Sequence, residues 1–486
     1  MSRMNRRHFL KSTLATAATI TIAGTKSSGK VLGANDAIRI GVAGLNGRGS
    51  AHVGAYANMP GVQITYLIDP DSRTYAKHLK TIGAKDGNAA PQTVQDVRKA
   101  LQDKNLDAIS IATPNHWHAL MTIWGCQAGK DVYVEKPSSH NVHEGRVAVE
   151  AARKYNRIVQ HGTQSRSGTE GARIAEIAKS GKLGKLLVSR ALCYKTRNSI
   201  GVKPNSDAPK EIDFSLWLGP AVERPFHGNL VHYNWHWFWD FGNGDIGNQG
   251  VHEMDKARWA IPGATLPKSV VSLGGRFGYE DQGETPNSQI AVMDFGETQL
   301  IFEVRGLKTT DYLGQKVGNS YHFEEGTIAG GKFFPKGKDQ AEPLPAIPSN
   351  IKRGPVAEGG GETHFRNFIA AVRSRKIEDL NADILEGHYS SALCHLANIS
   401  YRLGEQVPFN PQTKAFGDNK AVYETLGRLE EHLAKDNGLK LDGQKYRLGK
   451  KLVLDPSAET FVNDAEANKL LTREYRKGFE VPVKVS

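Results

Sequence analysis

The hydrophobic positions of this chain fall into two regimes. Up to about residue 165, short β-branched runs alternate with stretches of helical period. The runs are AIRIGVA (37–43), VQITYLID (62–69), LDAISIATP (106–114), DVYVEKP (131–137) and RIVQHGT (157–163). Helices are expected near 94–101, 116–128 and 142–155. Short apolar runs bounded by turn residues predict buried strands, and strand–helix alternation predicts a parallel sheet. After about residue 185 the pattern changes. KLLVSRALCYKT, SVVSLGGRFGY, SQIAVMDFG and TQLIFEVRG read as antiparallel strands separated by turns. Helical periodicity returns at 362–375 and 383–403. Residues 416–486 are polar, charged and weakly periodic, and read as an arm on the surface. No internal repeat is visible.

Length and composition fit this picture. At 486 residues, with 39% apolar and 23% charged side chains, the chain is expected to form two domains with sizeable cores. The formal charge of +12 is concentrated at the start: residues 1–34 hold six Lys or Arg and no acid, leaving +6 for the rest. No basic run is interleaved with aromatics, so nucleic acid is not an expected partner. The three cysteines, Cys126, Cys193 and Cys394, lie far apart inside apolar runs, which predicts small core residues rather than a disulfide or zinc framework. The opening NRRHFLKSTLATAATITIAG pairs two arginines with a short Ala/Thr/Ile stretch. It reads as a removable twin-arginine signal spanning 1–34, with cleavage expected after Ala34 and a periplasmic destination. The stretch is too short and too rich in threonine for a membrane-spanning helix, so no stable membrane insertion is expected.

The first strand runs into Gly44-Leu45-Asn46-Gly47-Arg48-Gly49, and the second ends in Asp69. Strand, glycine turn, helix, strand and acid form the first half of a Rossmann dinucleotide fold. Gly44 permits the tight turn, Gly49 lets helix and strand pack closely, and the helix N-terminus favours a pyrophosphate. Asn46 stands where the middle glycine is usual, and Asn tolerates positive φ better than most residues. Asp69 points to a free ribose 2′-hydroxyl and hence NAD, whereas Arg73, one turn on, could meet the 2′-phosphate of NADP. Two further strand ends carry polar groups toward the same crevice: TPNHWH (113–118) and EKP (135–137).

Residues 232–255, HYNWHWFWDFGNGDIGNQGVHEMD, combine aromatics, glycines and an Asn248–His252–Asp255 series at helical spacing. Alternation in HYNWHWFWD predicts a strand with one buried face and one bordering a pocket, where Trp235, Trp237 or His236 would meet a sugar. His232, His236 and Asp240 recur at spacings of four, but no ligand motif supports a metal there.

Together, AGLNGRG, ATPNHWHA, VYVEKP, VQHGTQSRS and GNQGVHEMD resemble, in order, the glucose–fructose oxidoreductase / inositol dehydrogenase (Gfo/Idh/MocA) family over roughly 37–415. The resemblance implies an α/β protein with an N-terminal Rossmann NAD(P)-binding domain (35–165). It also implies a substrate-binding α+β C-terminal domain (166–415) with an open, mostly antiparallel sheet. Residues 416–486 follow as an extension. The exported position resembles the branch that retains its cofactor. The resemblance implies a sugar or cyclitol substrate and a homo-oligomer. It makes Lys136 the catalytic lysine that hydrogen-bonds the reacting oxygen and His252 the general acid/base. Glu135, Thr113, Asn115, His118 and Gln164 would line the cofactor with Gly44, Asn46, Gly47, Arg48, Gly49, Asp69, Arg73 and Lys136. Lys136, Trp235, His236, Trp237, Asn248 and His252 would meet the substrate.

One position departs from the family pattern. Asn248 stands where many of these dehydrogenases carry an acid four residues before the histidine. An amide orients a hydroxyl but shuttles no proton. Asn248, His252 and Asp255 are expected on one helix face, with Asp255 orienting His252. Three functions follow as expectations. The first is an exported NAD(P)-dependent oxidoreductase that oxidises a sugar hydroxyl with a bound, recycled cofactor. The second is a glycoside-cleaving enzyme working through transient NAD-dependent oxidation to a keto sugar. The third is a non-catalytic sugar-binding module, against which the joint presence of Lys136 and His252 argues.

Overall fold

The computed structural model describes residues 37–83, 90–347, 351–359, 361–409 and 415–485. The twin-arginine stretch and its expected cleavage site after Ala34 lie outside the described residues.

Six strands form the first sheet: β1 Ile38–Ala43, β2 Val62–Ile68, β3 Gln92–Val94, β4 Ala108–Ile111, β5 Asp131–Val134 and β6 Val159–His161. All pairs are parallel and the order is β3-β2-β1-β4-β5-β6. β3 is the one strand of this sheet absent from the sequence expectation, since QTV has three residues and no apolar run. The central strands are buried on both faces. Ile38, Ile40 and Val42 pack toward Val53, Tyr56 and Phe365, while Ile109 and Ile111 pack toward Leu120 and Ile123. This is why these strands read as continuous apolar runs. The order reverses between β1 and β4, and the crevice outside their carboxyl ends is the ligand position of such sheets.

The second sheet runs β13-β12-β11-β7-β10-β9-β8-β15-β14, with β16 pairing β8 and β17. Its strands are β7 Leu186–Tyr194, β8 Ser269–Gly275, β9 Ser288–Asp294, β10 Gln299–Arg305, β11 Val317–Phe323, β12 Gly326–Ala329, β13 Lys332–Pro335, β14 Glu405–Pro408, β15 Lys445–Leu448, β16 Leu452–Asp455 and β17 Thr460–Phe461. β7 and β10 are parallel and the other pairs antiparallel. Side chains alternate between faces. On one face Ala291, Met293, Leu300 and Phe302 pack against Val251, Met254 and Ala257 of the helix Gly250–Trp259 and against the helix Ile384–Arg402. On the other face Leu273, Ile290, Val292 and Ile301 meet Val422, Leu426, Leu429 and Leu433.

The last contact revises the reading of 416–486 as a surface arm. The helix Lys420–Glu431 buries an apolar stripe on the sheet, and each such Val or Leu contributes about 1.5–3 kcal/mol. β15 extends the sheet edge, and Phe479, Val481 and Val485 pack on the Rossmann domain beside Trp117 and Leu120. This face of the sheet is therefore covered from within the chain. All three cysteines are free and buried. No helix among the described residues is long and apolar enough to cross a membrane.

The aromatic run is not a strand. It forms a short 3-10 turn, Asn234–Trp237, with Trp235, His236, Trp237 and Phe238 all buried. The helix behind it is also broken. Gly244–Gly247 forms one turn, and a second helix starts at Gly250. Asn248 caps the first, outside helical geometry, so it does not share a continuous helix face with His252.

Candidate active site

A cleft of about 520 Å³ opens at the carboxyl ends of β1, β2, β4 and β5 and is closed on its far side by the 211–236 segment. Its floor starts at the glycine turn. Gly44 has φ +79°, and a Cβ there would lie 2.6 Å from the backbone of Ala112 and Thr113; a Cβ on Gly49 would lie 1.8 Å from the Gly44 carbonyl oxygen. Gly49 does not line the cleft but lets the helix Arg48–Ala57 start against the turn. The backbone is thus free to approach a phosphate at a helix N-terminus. Thr113, also in the lining, has a buried hydroxyl without a partner. These features fit a dinucleotide.

At one end of the cleft sits Asp69, buried, its carboxylate accepting from the N–H groups of Leu45 (2.8 Å) and Asp71 (2.9 Å). Burial raises its pKa to about 6, against those two hydrogen bonds. Arg73 is not part of the cleft. Its guanidinium is held by the Asp71 carboxylate at 2.8 and 2.6 Å. Asp71 also accepts from His232 Nε2 at 2.8 Å.

Glu135 organises the middle. Its Oε1 accepts from Arg48 (2.9 Å), His52 (3.2 Å) and Gln164 (3.4 Å). Burial opposes its ionisation, but His52, Arg48 and Lys136 hold the carboxyl well below its ordinary range. Arg48 continues to Glu362 at 2.9 Å, over the glycine turn. His118 faces two carbonyls, Pro137 at 2.6 Å and Thr113 at 2.8 Å, and so ties the ends of β4 and β5 together. Asn115 donates to Asn243 at 3.3 Å.

At the far end Lys136, His252, Asn248, His236 and Tyr233 converge in one lining. Lys136 Nζ donates to the Asn248 carbonyl oxygen at 2.9 Å and approaches Oδ1 at 3.4 Å. Burial lowers its pKa, with Glu135 opposing. Burial and then Lys136 lower His252 to about 3, so its imidazole is neutral. Asp255 does not orient it: that carboxylate is taken by Arg166 (2.9 Å) and Ser390 (2.7 Å). His236 donates through Nδ1 to the Tyr233 carbonyl at 2.5 Å, which leaves Nε2 as an acceptor, and its ring stacks on Trp235 at 3.6 Å. Trp237 does not line the cleft; it is buried beneath Arg197. His232, His236 and Asp240 make separate contacts, to Asp71, Tyr233 and Arg224.

The cleft thus collects the sequence-selected residues except Gly49, Arg73 and Trp237. Sequence reasoning missed His232, Tyr233, Trp217 and Glu362 as cleft residues. The aromatic run was a signal for Tyr233. Nothing local marks Glu362, which reaches the cleft from the start of the helix Thr363–Ser374.

The fold and the sequence are similar to those of known proteins. Residues 38–163 match the model of the GFO_IDH_MocA oxidoreductase family, NAD-binding Rossmann fold, and residues 169–272 its C-terminal alpha/beta domain. Both domains match the Gfo/Idh/MocA oxidoreductase family. The fold is similar to that of the WlbA dehydrogenase from Bordetella pertussis, in complex with NADH and UDP-GlcNAcA. That likeness has TM-score 0.55 and 18% identity, over 77% of this chain and 99% of that one. It is also similar to a levoglucosan dehydrogenase in complex with NADH and L-sorbose (TM-score 0.52, 17% identity, 74% and 96% of the two chains). At these identities the likeness is one of fold. In sequence the chain is 27% identical over 209 residues to a glycosyl hydrolase family 109 protein of Shewanella pealeana. It is 28% identical over 211 residues to an alpha-N-acetylgalactosaminidase of Shewanella oneidensis. Each match covers 39% of this chain and 46% of the relative. The chain spans about half the length of these curated relatives.

Proposed function

We propose that this protein is an exported, periplasmic oxidoreductase that oxidises a hydroxyl of a sugar or sugar derivative and restores the hydride within the same cleft. The observation that carries the reading is the convergence of Lys136 and a neutral, cleft-facing His252 at the end of a closed dinucleotide cleft. NAD, when bound by the Gly44–Gly49 turn, Asp69 and the Glu135 cluster, supplies the hydride acceptor and donor. His252 accepts the hydroxyl proton and returns it, and Lys136 stabilises the developing negative charge on the oxygen. Asn248 positions Lys136 through its carbonyl and carries no proton. Net transfer through an acid–histidine pair is therefore not built into the site.

Retention of the cofactor is supported by the strap that closes the cleft. Ser72 N–H donates to Glu211 O (3.0 Å), Asp213 N–H to Pro70 O (2.9 Å), and His232 to Asp71 (2.8 Å). The second domain is thus bonded across the end of β2, where the adenosine would lie, and Leu216 and Trp217 form the facing wall. A retained cofactor suits a compartment that does not supply it.

A second reading, redox-neutral glycoside cleavage, is favoured by His236. Its Nε2 is a second neutral acceptor beside Lys136, and two bases serve oxidation at one carbon and proton removal at its neighbour. The family 109 relatives have names that fit this reading. Purified protein incubated with free sugars and with glycosides separates the two. Oxidised sugar, or exchange of hydride between sugars, supports the first. Aglycone release without net reduced cofactor supports the second. Absence of both from a broad panel would refute each.

A further inference from the structure

A second cavity, of about 300 Å³, lies behind the active site where the start of the helix Val142–Lys154, the helix Ile384–Arg402 and residues 469–474 meet. Nothing in the proposed chemistry uses it. Its mouth carries Arg402, Arg473 and Lys469, against Asp240 and Glu474. Neither guanidinium group is hydrogen-bonded to a carboxylate among the described residues, although Asp240 and Glu284 act on Arg402 through space. Arg473 donates to the Asp240 backbone carbonyl (2.9 Å) and to His140 Nδ1 (3.1 Å), not to a carboxylate. Asp240 spends its carboxylate on Arg224 at 3.1 Å. The Arg402 guanidinium has no hydrogen-bond partner among the described residues and lies 5.4 Å from the Trp239 ring centre. Deeper in the same lining are His140 and His395. The buried Nε2 of His140 and the buried Nδ1 of His395 have no hydrogen-bond partner among the described residues. Since Arg473 donates to His140 Nδ1, a neutral His140 carries its proton on Nε2, a donor with nothing to bond.

A buried His140 donor without an acceptor, two guanidinium groups without a carboxylate partner and a cavity larger than a single water site together suit an oxyanion. We propose that this cavity is a binding site for a small molecule bearing a carboxylate, sulfate or phosphate group. The guanidinium groups of Arg402 and Arg473 would hold the anionic head, and Trp239, Ile399 and Leu470 would supply an apolar wall for the remainder. Asn243 stands between this cavity and the nucleotide cleft. Its Oδ1 accepts from Asn115 (3.3 Å) and its Nδ2 donates to the His140 carbonyl (3.2 Å). The site is therefore one amide away from the cofactor wall, and it does not depend on which reaction the cleft performs.

The test is calorimetric titration of the full-length protein with sulfate and, separately, acetate, at constant ionic strength in chloride and with excess NAD filling the main cleft. Saturable binding of one probe is expected, weakened at least tenfold in Arg402→Gln and in Arg473→Gln. Sulfate and acetate together distinguish a tetrahedral from a planar anion. Arg473→Gln also removes two hydrogen bonds and lowers stability with them, whereas the Arg402 guanidinium makes no hydrogen bond among the described residues, so Arg402→Gln is the deciding variant. No saturable binding of either probe, or unchanged affinity in Arg402→Gln, overturns the proposal.

Discussion

Gly49→Ala is the sharpest perturbation of the nucleotide cradle. The added Cβ would sit 1.8 Å from the Gly44 carbonyl oxygen and 2.7 Å from its carbon, against roughly 3.5 Å for an ordinary contact. Both obstacles are backbone, so no rotamer relieves them. The N-terminus of the helix Arg48–Ala57 must withdraw by on the order of an ångström, at an overpacking cost of about 1–3 kcal/mol. That withdrawal moves the N–H groups that would meet the pyrophosphate. Each hydrogen bond lost to a charged group costs about 1.5–3 kcal/mol, which is about ten- to a hundredfold in affinity. Gly54→Ala, in the same helix, is the internal control: a Cβ there meets nothing within 4 Å, so stability should rise by about 0.5–1 kcal/mol through helix propensity. Urea unfolding and calorimetric titration with NAD measure both terms. Gly49→Ala with unchanged stability and unchanged NAD affinity would refute the cradle.

Further predictions test other parts of the site. His252→Gln should lower turnover by about 10²–10⁴-fold while leaving bound nicotinamide unchanged, read by rapid quench and cofactor release. His232→Ala removes the bond to Asp71 and should speed NAD release by about tenfold or more in a chase with labelled NAD; an unchanged off-rate would remove the strap from the retention argument. Leu426→Ala, beneath the sheet's outer face, should cost about 2–5 kcal/mol in urea unfolding, whereas a surface arm would cost almost nothing. Stability should fall with acid. Burial lowers His116, His236 and His395 to about 3 and His161 to about 4, so below the unfolded value of 6.5 the unfolded chain binds more protons. Each histidine then loses about 1.4 kcal/mol per pH unit. Asp69 and Glu144, raised to about 6 by burial, and Glu253, raised to about 7, act with the opposite sign, and the four histidines outweigh the three acids. Unfolding free energies measured from pH 7 to pH 5 check this.

Much of the fold was legible because its signals are local. Strand β1, the glycine turn and Asp69 lie within one short unit, and burial of central strands on both faces writes itself as unbroken apolar runs. The misreadings arose where tertiary contact overrides local pattern. HYNWHWFWD alternates like a strand, but four consecutive residues of it are buried at once, which a half-exposed strand does not allow. Asn248 and His252 are four apart, yet glycines at 244, 247 and 250 break the helix between them; Gly250 is small because a Cβ would meet the Phe302 ring at 2.6 Å. Arg73 had the right distance from Asp69 for a phosphate, but Asp71, two residues away, captured it. The helix Lys420–Glu431 was readable from Val422, Leu426 and Leu429 at helical spacing, but its charged flanks masked the stripe. Lys136 and His252, far apart in the chain, meet because one follows the end of β5 and the other lies in the first turn of the helix Gly250–Trp259, and both face the same crevice.

The most direct test of a closed, hydride-returning cleft is a single-turnover experiment on the purified protein, without added cofactor, mixed with a sugar or glycoside that it converts. Absorbance of reduced nicotinamide and release of product are followed together. The account predicts a transient rise that decays as product appears, with nicotinamide still bound at the end. Reduced cofactor accumulating free in solution, with added NAD required for every turnover, would contradict it.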